Sequence, residues 1–246
     1  MIRRVPFGQG WRWIVQAFAL FRRSAVIWIV LTLVMLLLAL ALTRIPVLGS
    51  YLLYLITPIL LAGLMSAARD TEAGQEIEIA HLFRGFRENA PQLVTVGGVY
   101  LVGNVVVAGV ALSLGGEELR QVIEAAAAGR PEEVDAAAAN KASMAILVAA
   151  ALFLPLAMAL WFAPALVMLE KIPAWRAMAL SIQACLVNFL PFLLYGAVMS
   201  ALLIVALALV FIGIAFWVPL AILTAYTAYR DIFTTQAPTA PPADAE

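Results

Sequence analysis

The chain contains few charged residues, a single cysteine and a single histidine. Only 12% of its 246 residues are Asp, Glu, Lys or Arg, and fifteen basic residues balance fifteen acidic ones. This balance provides no net charge to attract nucleic acid or a strongly acidic partner. Because Cys185 is the only cysteine, an internal disulfide and a cysteine-based metal cluster are both excluded.

Apolar residues, in contrast, make up 65% of the chain, and the mean hydropathy is +1.00. An average soluble domain is roughly half apolar and about a quarter charged. The main solvent of this chain is therefore expected to be lipid. In lipid a helix satisfies its own backbone hydrogen bonds, so the composition predicts an all-α, polytopic integral membrane protein.

Six uncharged runs are each long enough to cross a bilayer as a helix, which takes about 20 residues. They lie near residues 25–43, 51–68, 92–114, 144–169, 189–211 and 214–229. Only Ile212 and Gly213 separate the last two, so one long reentrant element is an alternative to two spans there. We predict a single transmembrane domain over residues 1–233 and a disordered cytoplasmic tail over residues 234–246.

The segment 115–141 interrupts the apolar pattern. Its first part is alanine-rich, Gly129 is a suitable helix C-cap, and Pro131 suits the first turn of a second helix. We therefore expect a small helical hairpin here, on the outer side of the membrane. It contains too few apolar residues to fold independently and should rest on the spans or on a partner.

Basic residues are distributed unevenly about the predicted spans. Four lie on one side, namely Arg44, Arg120, Arg130 and Lys141. Eleven lie on the other, namely Arg3, Arg4, Arg12, Arg22, Arg23, Arg69, Arg84, Arg87, Lys171, Arg176 and Arg230. Since basic residues concentrate on the cytoplasmic side, this asymmetry predicts that both termini are cytoplasmic.

Three segments on the basic side have the pattern of amphipathic helices lying at the membrane surface. In the first, Arg12, Gln16, Ala19 and Arg23 share one stripe, and Trp11, Ile14, Val15, Phe18 and Phe21 form the opposite face. The second covers Glu78–Glu88 and the third begins at Pro173. The candidate lipid-contacting residues are Trp11, Arg12, Trp13, Arg22, Arg23, Arg84, Arg87, Trp175 and Arg176.

These segments also begin the units of a predicted internal repeat, in which each is followed by a helical hairpin. Pro58 precedes Arg69-Asp70 by the same spacing at which Pro219 precedes Arg230-Asp231. The middle unit would run from Glu78 to Lys171, with Pro164 in its second span. Three repeats would thus account for all six spans.

The middle of each predicted span contains no ionisable residue, which argues against a proton-coupled pump and a buried carboxylate enzyme. His81 is interpreted as a solvated residue, because a metal normally needs three or four ligands and there is no second His or Cys partner. We predict no catalytic residue, cofactor or metal site.

Asn104, in the third span, is the candidate polar residue within the membrane. It suits an interhelical hydrogen bond, which we favour, but it could also line a polar path. Thr57, Thr224 and Tyr226 are the further residues that could line such a path.

Several motifs give the chain a resemblance that covers nearly its whole length. They are Gly10-Trp11, His81-Leu82-Phe83, Gly85-Phe86, Phe162–Val167, Ala177–Ser181, Asn188, Pro191-Phe192, Tyr195-Gly196 and Ala228–Phe233. In these the chain resembles an uncharacterised family of bacterial six-span inner-membrane proteins. More remotely, it is similar to the membrane domain of some glycerophosphodiester phosphodiesterases. The resemblance implies location and fold, but no activity, and the insertion at 115–141 departs from it.

Three functional classes remain. The first and favoured one is a non-enzymatic inner-membrane component that organises lipid or partner proteins through its cytoplasmic-side interfacial helices. The second is a small-solute transporter or channel, and the third is an enzyme. The expected partners are membrane lipids, anionic ones among them, with a membrane-protein partner or a second copy of the chain as further candidates. No nucleic acid is expected.

Overall fold

The computed structural model describes residues 2–46, 48–130 and 135–234, and of residues 210–212 it describes the backbone alone. Within these ranges every regular element is a helix, which confirms the all-α prediction. The helices are α1 (Gln9–Arg23), α2 (Ala25–Thr43), α3 (Leu48–Glu72), α4 (Arg84–Arg87), α5 (Ala90–Ala127), α6 (Ala136–Leu169), α7 (Ala174–Val187), α8 (Phe189–Ala208) and α9 (Val210–Phe233). A 3₁₀ helix, Ile79–Phe83, leads directly into α4.

Five of the described helices, α2, α3, α5, α6 and α8, are long and apolar enough to cross a membrane. The sixth predicted span falls within α9, so the count of six stays a prediction. The last two predicted spans are separate helices, since the chain turns at Leu209, three residues before Ile212. The Trp217 Nε1–H donates to the Met199 carbonyl at 3.0 Å, and this hydrogen bond joins α8 to α9 across the turn.

The helical parts described in the segment 115–141 are continuous with α5 and α6. α5 changes direction at Gly116, where φ is 50° and ψ is −136°, and then runs on to Ala127. α6 begins after Asp135, whose side chain accepts from the Ala137 N–H at 3.2 Å. Alanine has the highest helix propensity, which explains why both helices extend beyond their apolar runs. The predicted helix start at Pro131 and most of the predicted tail lie outside the described residues.

The core of the bundle lies where α3, α6 and α9 contact one another. Leu64, Phe162, Leu166 and Leu223 are fully buried there. The three helices finish at the same end of the bundle, because Tyr226 near the end of α9 bonds Glu72 of α3, and Tyr229 bonds Glu170 just after α6. We call this the basic end.

Three further elements pack across the basic end. α1 contacts α8 and α9, the 3₁₀ helix and α4 contact α3, and α7 contacts α6 and α5. Gly63 of α3 permits the close contact between α3 and the 3₁₀ helix. A Cβ atom at Gly63 would lie 2.6 Å from the carbonyl oxygen of Leu82, so any side chain there would push the 3₁₀ helix away.

Candidate membrane interface

α1 has one face buried against the protein and one face exposed. The buried residues include Trp13, Ile14, Ala17, Leu20 and Phe21, and the exposed ones are Trp11, Arg12, Val15, Phe18, Ala19, Arg22 and Arg23. The predicted division was therefore wrong in part, because Trp11, Val15 and Phe18 lie on the same exposed side as the arginines. The exposed face combines aromatic rings with guanidinium groups, and Arg22 lies 6.0 Å from the ring centroid of Phe18.

Trp13 is not a lipid-contacting residue, contrary to the prediction. It is 0% exposed, and its Nε1–H donates to Asp231 Oδ2 at 3.0 Å. Its backbone carbonyl accepts from the Thr227 hydroxyl at 3.0 Å, and its ring lies 5.2 Å from that of Phe192. Trp13 instead holds α1 against α8 and α9.

The other end of α1 is held at α3. Arg23 donates to the Glu72 carbonyl at 3.2 Å, while Gln9 at the start of α1 donates to Asp231. Glu72 and Asp231 both belong to the last turns of their helices. Both ends of α1 therefore lie at the basic end of the bundle.

Arg84 and Arg87, also predicted to contact lipid, occupy different positions. Arg84 is partly buried, and its Nη1 donates to Asp70 Oδ2 at 2.5 Å and to Ser66 Oγ at 3.0 Å. It therefore docks α4 on α3, which is a correction to its predicted role. Arg87 is exposed, as are the nearby rings of Phe83 and Phe86.

His81 is buried, so its interpretation as a solvated residue was wrong. It is 1% exposed, and its Nδ1 lies 3.0 Å from the Glu78 backbone nitrogen and 3.1 Å from the Glu78 carbonyl oxygen. Because a carboxylate can only accept, Nε2 is the nitrogen that carries a proton in the contact with Asp70. Nε2 accordingly donates to Asp70 Oδ2 at 3.1 Å. Nε2 thus joins the 3₁₀ helix to α3, and Nδ1 contacts the residue that caps the start of the 3₁₀ helix.

α7 exposes its predicted interfacial residues and is anchored by a buried serine. Trp175 is 74% exposed, and Arg176 beside it is also exposed. The Ser181 hydroxyl donates to the Met158 carbonyl at 2.5 Å and accepts from the Phe162 N–H at 2.9 Å. A buried polar residue of α7 therefore fixes this helix to α6.

Glu72 and Arg230 form the centre of a polar layer at the basic end. Arg230 forms an ion pair with Glu72, and its Nη2 donates to Gln16 Oε1 at 2.7 Å. The other Glu72 oxygen accepts from the Tyr226 hydroxyl at 2.7 Å. Because Glu72, Arg230 and Gln16 belong to α3, α9 and α1, this layer joins α3 and α9 to α1.

Among the residues that the structure describes, Asn104 makes no interhelical hydrogen bond of the kind predicted. Its Nδ2 donates to the Tyr100 carbonyl in its own helix at 2.8 Å. Thr57 and Thr224 likewise donate to carbonyls four residues before them, and Tyr226 is bonded to Glu72. Hydrogen-bonding groups already satisfied in this way contribute little to a polar path.

The described helices enclose a central apolar cavity and leave an apolar groove beside it. A central cavity of about 380 Å³ lies among α3, α5, α6, α8 and α9, and a groove of about 390 Å³ lies among α6, α7 and α8. Trp161 and Tyr195 line both and form the wall between them. Among the residues that the structure describes, no group of three or more His, Cys, Asp or Glu side chains is arranged to hold a metal ion.

The sequence as a whole is similar to that of a probable inner membrane protein of Burkholderia thailandensis. The two are 34% identical over 254 residues, which cover 94% of this chain and 93% of the relative. The chain belongs to this family of inner membrane proteins. With its five candidate spans, the protein is thus a component of the bacterial inner membrane. No family model matches the sequence, and no solved structure matches it either.

Proposed function

We propose that this inner-membrane protein is not an enzyme, and that it organises anionic lipid, or a partner protein, through the surface of its basic end. One observation carries the proposal. Each of the three elements that pack across this end exposes an aromatic ring beside an arginine. The pairs are Trp11 and Arg12 on α1, Phe86 and Arg87 on α4, and Trp175 and Arg176 on α7.

This combination is suited to the boundary between lipid and water. Aromatic rings favour the depth of the headgroups, whereas arginine extends its charge towards the phosphates. Each basic residue near an anionic leaflet contributes about 1 kcal/mol to binding. In this proposal the basic end faces the cytoplasm, as the uneven distribution of basic residues predicts, and both termini lie on that side.

The repeat and the six-span arrangement belong to the same proposal. The contacts that support them follow a cyclic order. Each surface element packs on the helical hairpin of the preceding unit, and the surface element of the first unit packs on the hairpin of the last. The 3₁₀ helix and α4 pack on the hairpin of α2 and α3, α7 packs on that of α5 and α6, and α1 packs on that of α8 and α9. Such an arrangement would present the three aromatic and arginine pairs around one surface.

A small-solute transporter or channel remains the alternative function, but it receives less support. The central cavity is lined mainly by apolar and aromatic side chains, and its lining includes none of Asn104, Thr57, Thr224 and Tyr226. A partner protein or a second copy of the chain remains a further candidate ligand for the basic end.

The proposal is tested by replacing Arg12 and Arg22 with Gln in one variant. Both are exposed, and Arg23 is retained because it contacts Glu72. The measurement is the amount of phosphatidylglycerol that co-purifies with each protein in a mild detergent. Loss of two charges should weaken phosphatidylglycerol binding by about 2 kcal/mol, or roughly 30-fold.

The matched control replaces Arg44 and Arg120, two exposed arginines at the opposite end, with Gln. This variant carries the same change of net charge and should retain the wild-type lipid content. Equal insertion of all three proteins is checked in membrane fractions. Unchanged phosphatidylglycerol in an inserted Arg12→Gln, Arg22→Gln protein would leave these arginines with a topological role only.

A further inference from the structure

We propose that the corner between α7 and α8 binds one anionic phospholipid, with its phosphate at Arg4 and one acyl chain in the groove between α6 and α8. This inference deepens the proposed function, since it rests on a basic end that faces an anionic leaflet. It adds a single defined site to what would otherwise be a diffuse surface.

The headgroup end of the site is a cleft of about 300 Å³ at the basic end. It is lined by Arg4, Val5, Phe7, Leu186, Val187, Phe189, Leu190 and Pro191. Arg4 is exposed, and no carboxylate of the described residues pairs with it. A phosphate group would supply the missing negative charge, and arginine can bind it through two parallel N–H donors.

Arg4 is held in place by the residues on either side of it. The Val5 N–H donates to Asn188 Oδ1 at 2.9 Å, and Asn188 Nδ2 donates to the Arg3 carbonyl at 3.1 Å. The Arg3 N–H in turn donates to the Ile232 carbonyl at 2.9 Å. Asn188 is itself 1% exposed, so the backbone that carries Arg4 is fixed to the end of α7 and to the end of α9.

The acyl-chain end is the apolar groove, which begins where the cleft stops. Phe189 lines both, and the groove continues along α8 past Leu193 to Gly196. From Phe189 to Gly196 the helix rises by roughly 10 Å, at 1.5 Å per residue. The facing wall is formed by Leu154, Ala157 and Trp161 of α6. A volume of about 390 Å³ lies within the range of roughly 300–1,000 Å³ of small-ligand pockets.

One polar group within the groove also favours a lipid ester. Tyr195 is 6% exposed and lines the groove, and its hydroxyl has no hydrogen-bond partner among the described residues. The ester carbonyl of a phospholipid would accept the proton of this hydroxyl. An anionic head, an ester and an apolar tail are thus each matched by a separate part of the site.

Gly196 allows the groove to be filled without disturbing its walls. A Cβ atom there would meet no other atom within 4 Å, so the side chain of a Gly196→Leu variant would extend into open space. Gly109 of α5 provides the matched control, since its Cβ would also meet nothing within 4 Å and it lies on an exposed face. Both substitutions place leucine within a helix, where it is more favourable than glycine.

The experiment adds phosphatidylglycerol or phosphatidylcholine to delipidated protein and counts bound lipids by native mass spectrometry. Wild type and Gly109→Leu should retain one phosphatidylglycerol in preference to phosphatidylcholine. Gly196→Leu should bind that lipid at least about tenfold more weakly, which corresponds to about 1.4 kcal/mol. Arg4→Gln should remove the preference between the two lipids.

Two results would overturn the inference. The first is a Gly196→Leu protein that retains phosphatidylglycerol as tightly as Gly109→Leu does. The second is a wild-type dimer that Gly196→Leu dissociates, because the groove would then be an interface between copies. The Arg12→Gln, Arg22→Gln variant separates the two proposals. If the Arg12→Gln, Arg22→Gln variant alone loses lipid, the proposal for the basic end stands and the proposed lipid site fails. If Gly196→Leu alone loses lipid, the lipid site is supported and the proposal that the exposed arginines of α1 bind lipid is contradicted.

Discussion

His81 Nε2 lies 3.1 Å from Asp70 Oδ2, and this hydrogen bond joins the 3₁₀ helix to the last turns of α3. The same carboxylate oxygen accepts from Arg84 at 2.5 Å, so one oxygen receives donors from both the 3₁₀ helix and α4. The surface element that exposes Phe86 and Arg87 is therefore docked through a buried polar contact. Its position depends on His81 and Asp70, which are 1% and 7% exposed, whereas Phe86 is 44% exposed.

Replacement of His81 by Phe should lower the stability of the protein. Phenylalanine retains an aromatic ring, but the Glu78 N–H loses the contact with Nδ1 and Asp70 loses one donor. An unsatisfied buried polar group costs about 1–3 kcal/mol, so we expect a loss of that size in the free energy of unfolding. It can be measured by unfolding in mixed detergent micelles.

Arg87→Gln is the control for this substitution, because Arg87 lies in the same segment but is exposed. It should change the free energy of unfolding by less than about 0.5 kcal/mol. Equal stability of the His81→Phe and Arg87→Gln proteins would show that the His81 contact with Asp70 does not hold the segment in place.

Gly63→Ala should also destabilise the protein, for a steric reason. The added Cβ atom would lie 2.6 Å from the Leu82 carbonyl oxygen and would force the 3₁₀ helix away from α3. Overpacking of this kind costs about 1–3 kcal/mol. Thermal unfolding in detergent would detect the change.

Gly98→Ala offers a comparison within another membrane helix. A Cβ atom at Gly98 would meet nothing within 4 Å, and alanine favours a helix over glycine by about 1 kcal/mol. This variant should be as stable as the wild type or more stable. If Gly63→Ala and Gly98→Ala unfold at the same temperature, the close contact between α3 and the 3₁₀ helix does not contribute to the stability of the protein.

Cysteine labelling should place the basic end in the cytoplasm. In a Cys185→Ala background, cysteines at Ser50 and Ala127 should react with an impermeant maleimide in intact cells, and one at Gly8 should not. All three positions are exposed, so their reactivity reports the side of the membrane. Labelling at Gly8 without permeabilisation would contradict the orientation that the basic residues predict.

Some features of the surface could be predicted from local pattern and others could not. Trp175 and Arg176 follow Pro173 on an amphipathic segment, and the structure exposes both. Trp11 and Trp13 look equivalent in the sequence, but only Trp13 faces Asp231, which is more than two hundred residues away in the chain. His81 is buried where it contacts Asp70 of α3, and that contact between two elements leaves no local pattern in the sequence.

The sequence by itself determined the solvent of this protein and its helical class. Composition and long uncharged runs are sufficient for both. An unpaired backbone N–H or C=O group is costly in lipid, and a helix pairs these groups within itself. The tertiary structure alone decided which side of α1 is buried, which arginines dock and which stay exposed, and where the chain leaves a groove. These properties depend on contacts between helices distant in the chain, and hydropathy along one segment carries no information about its neighbours.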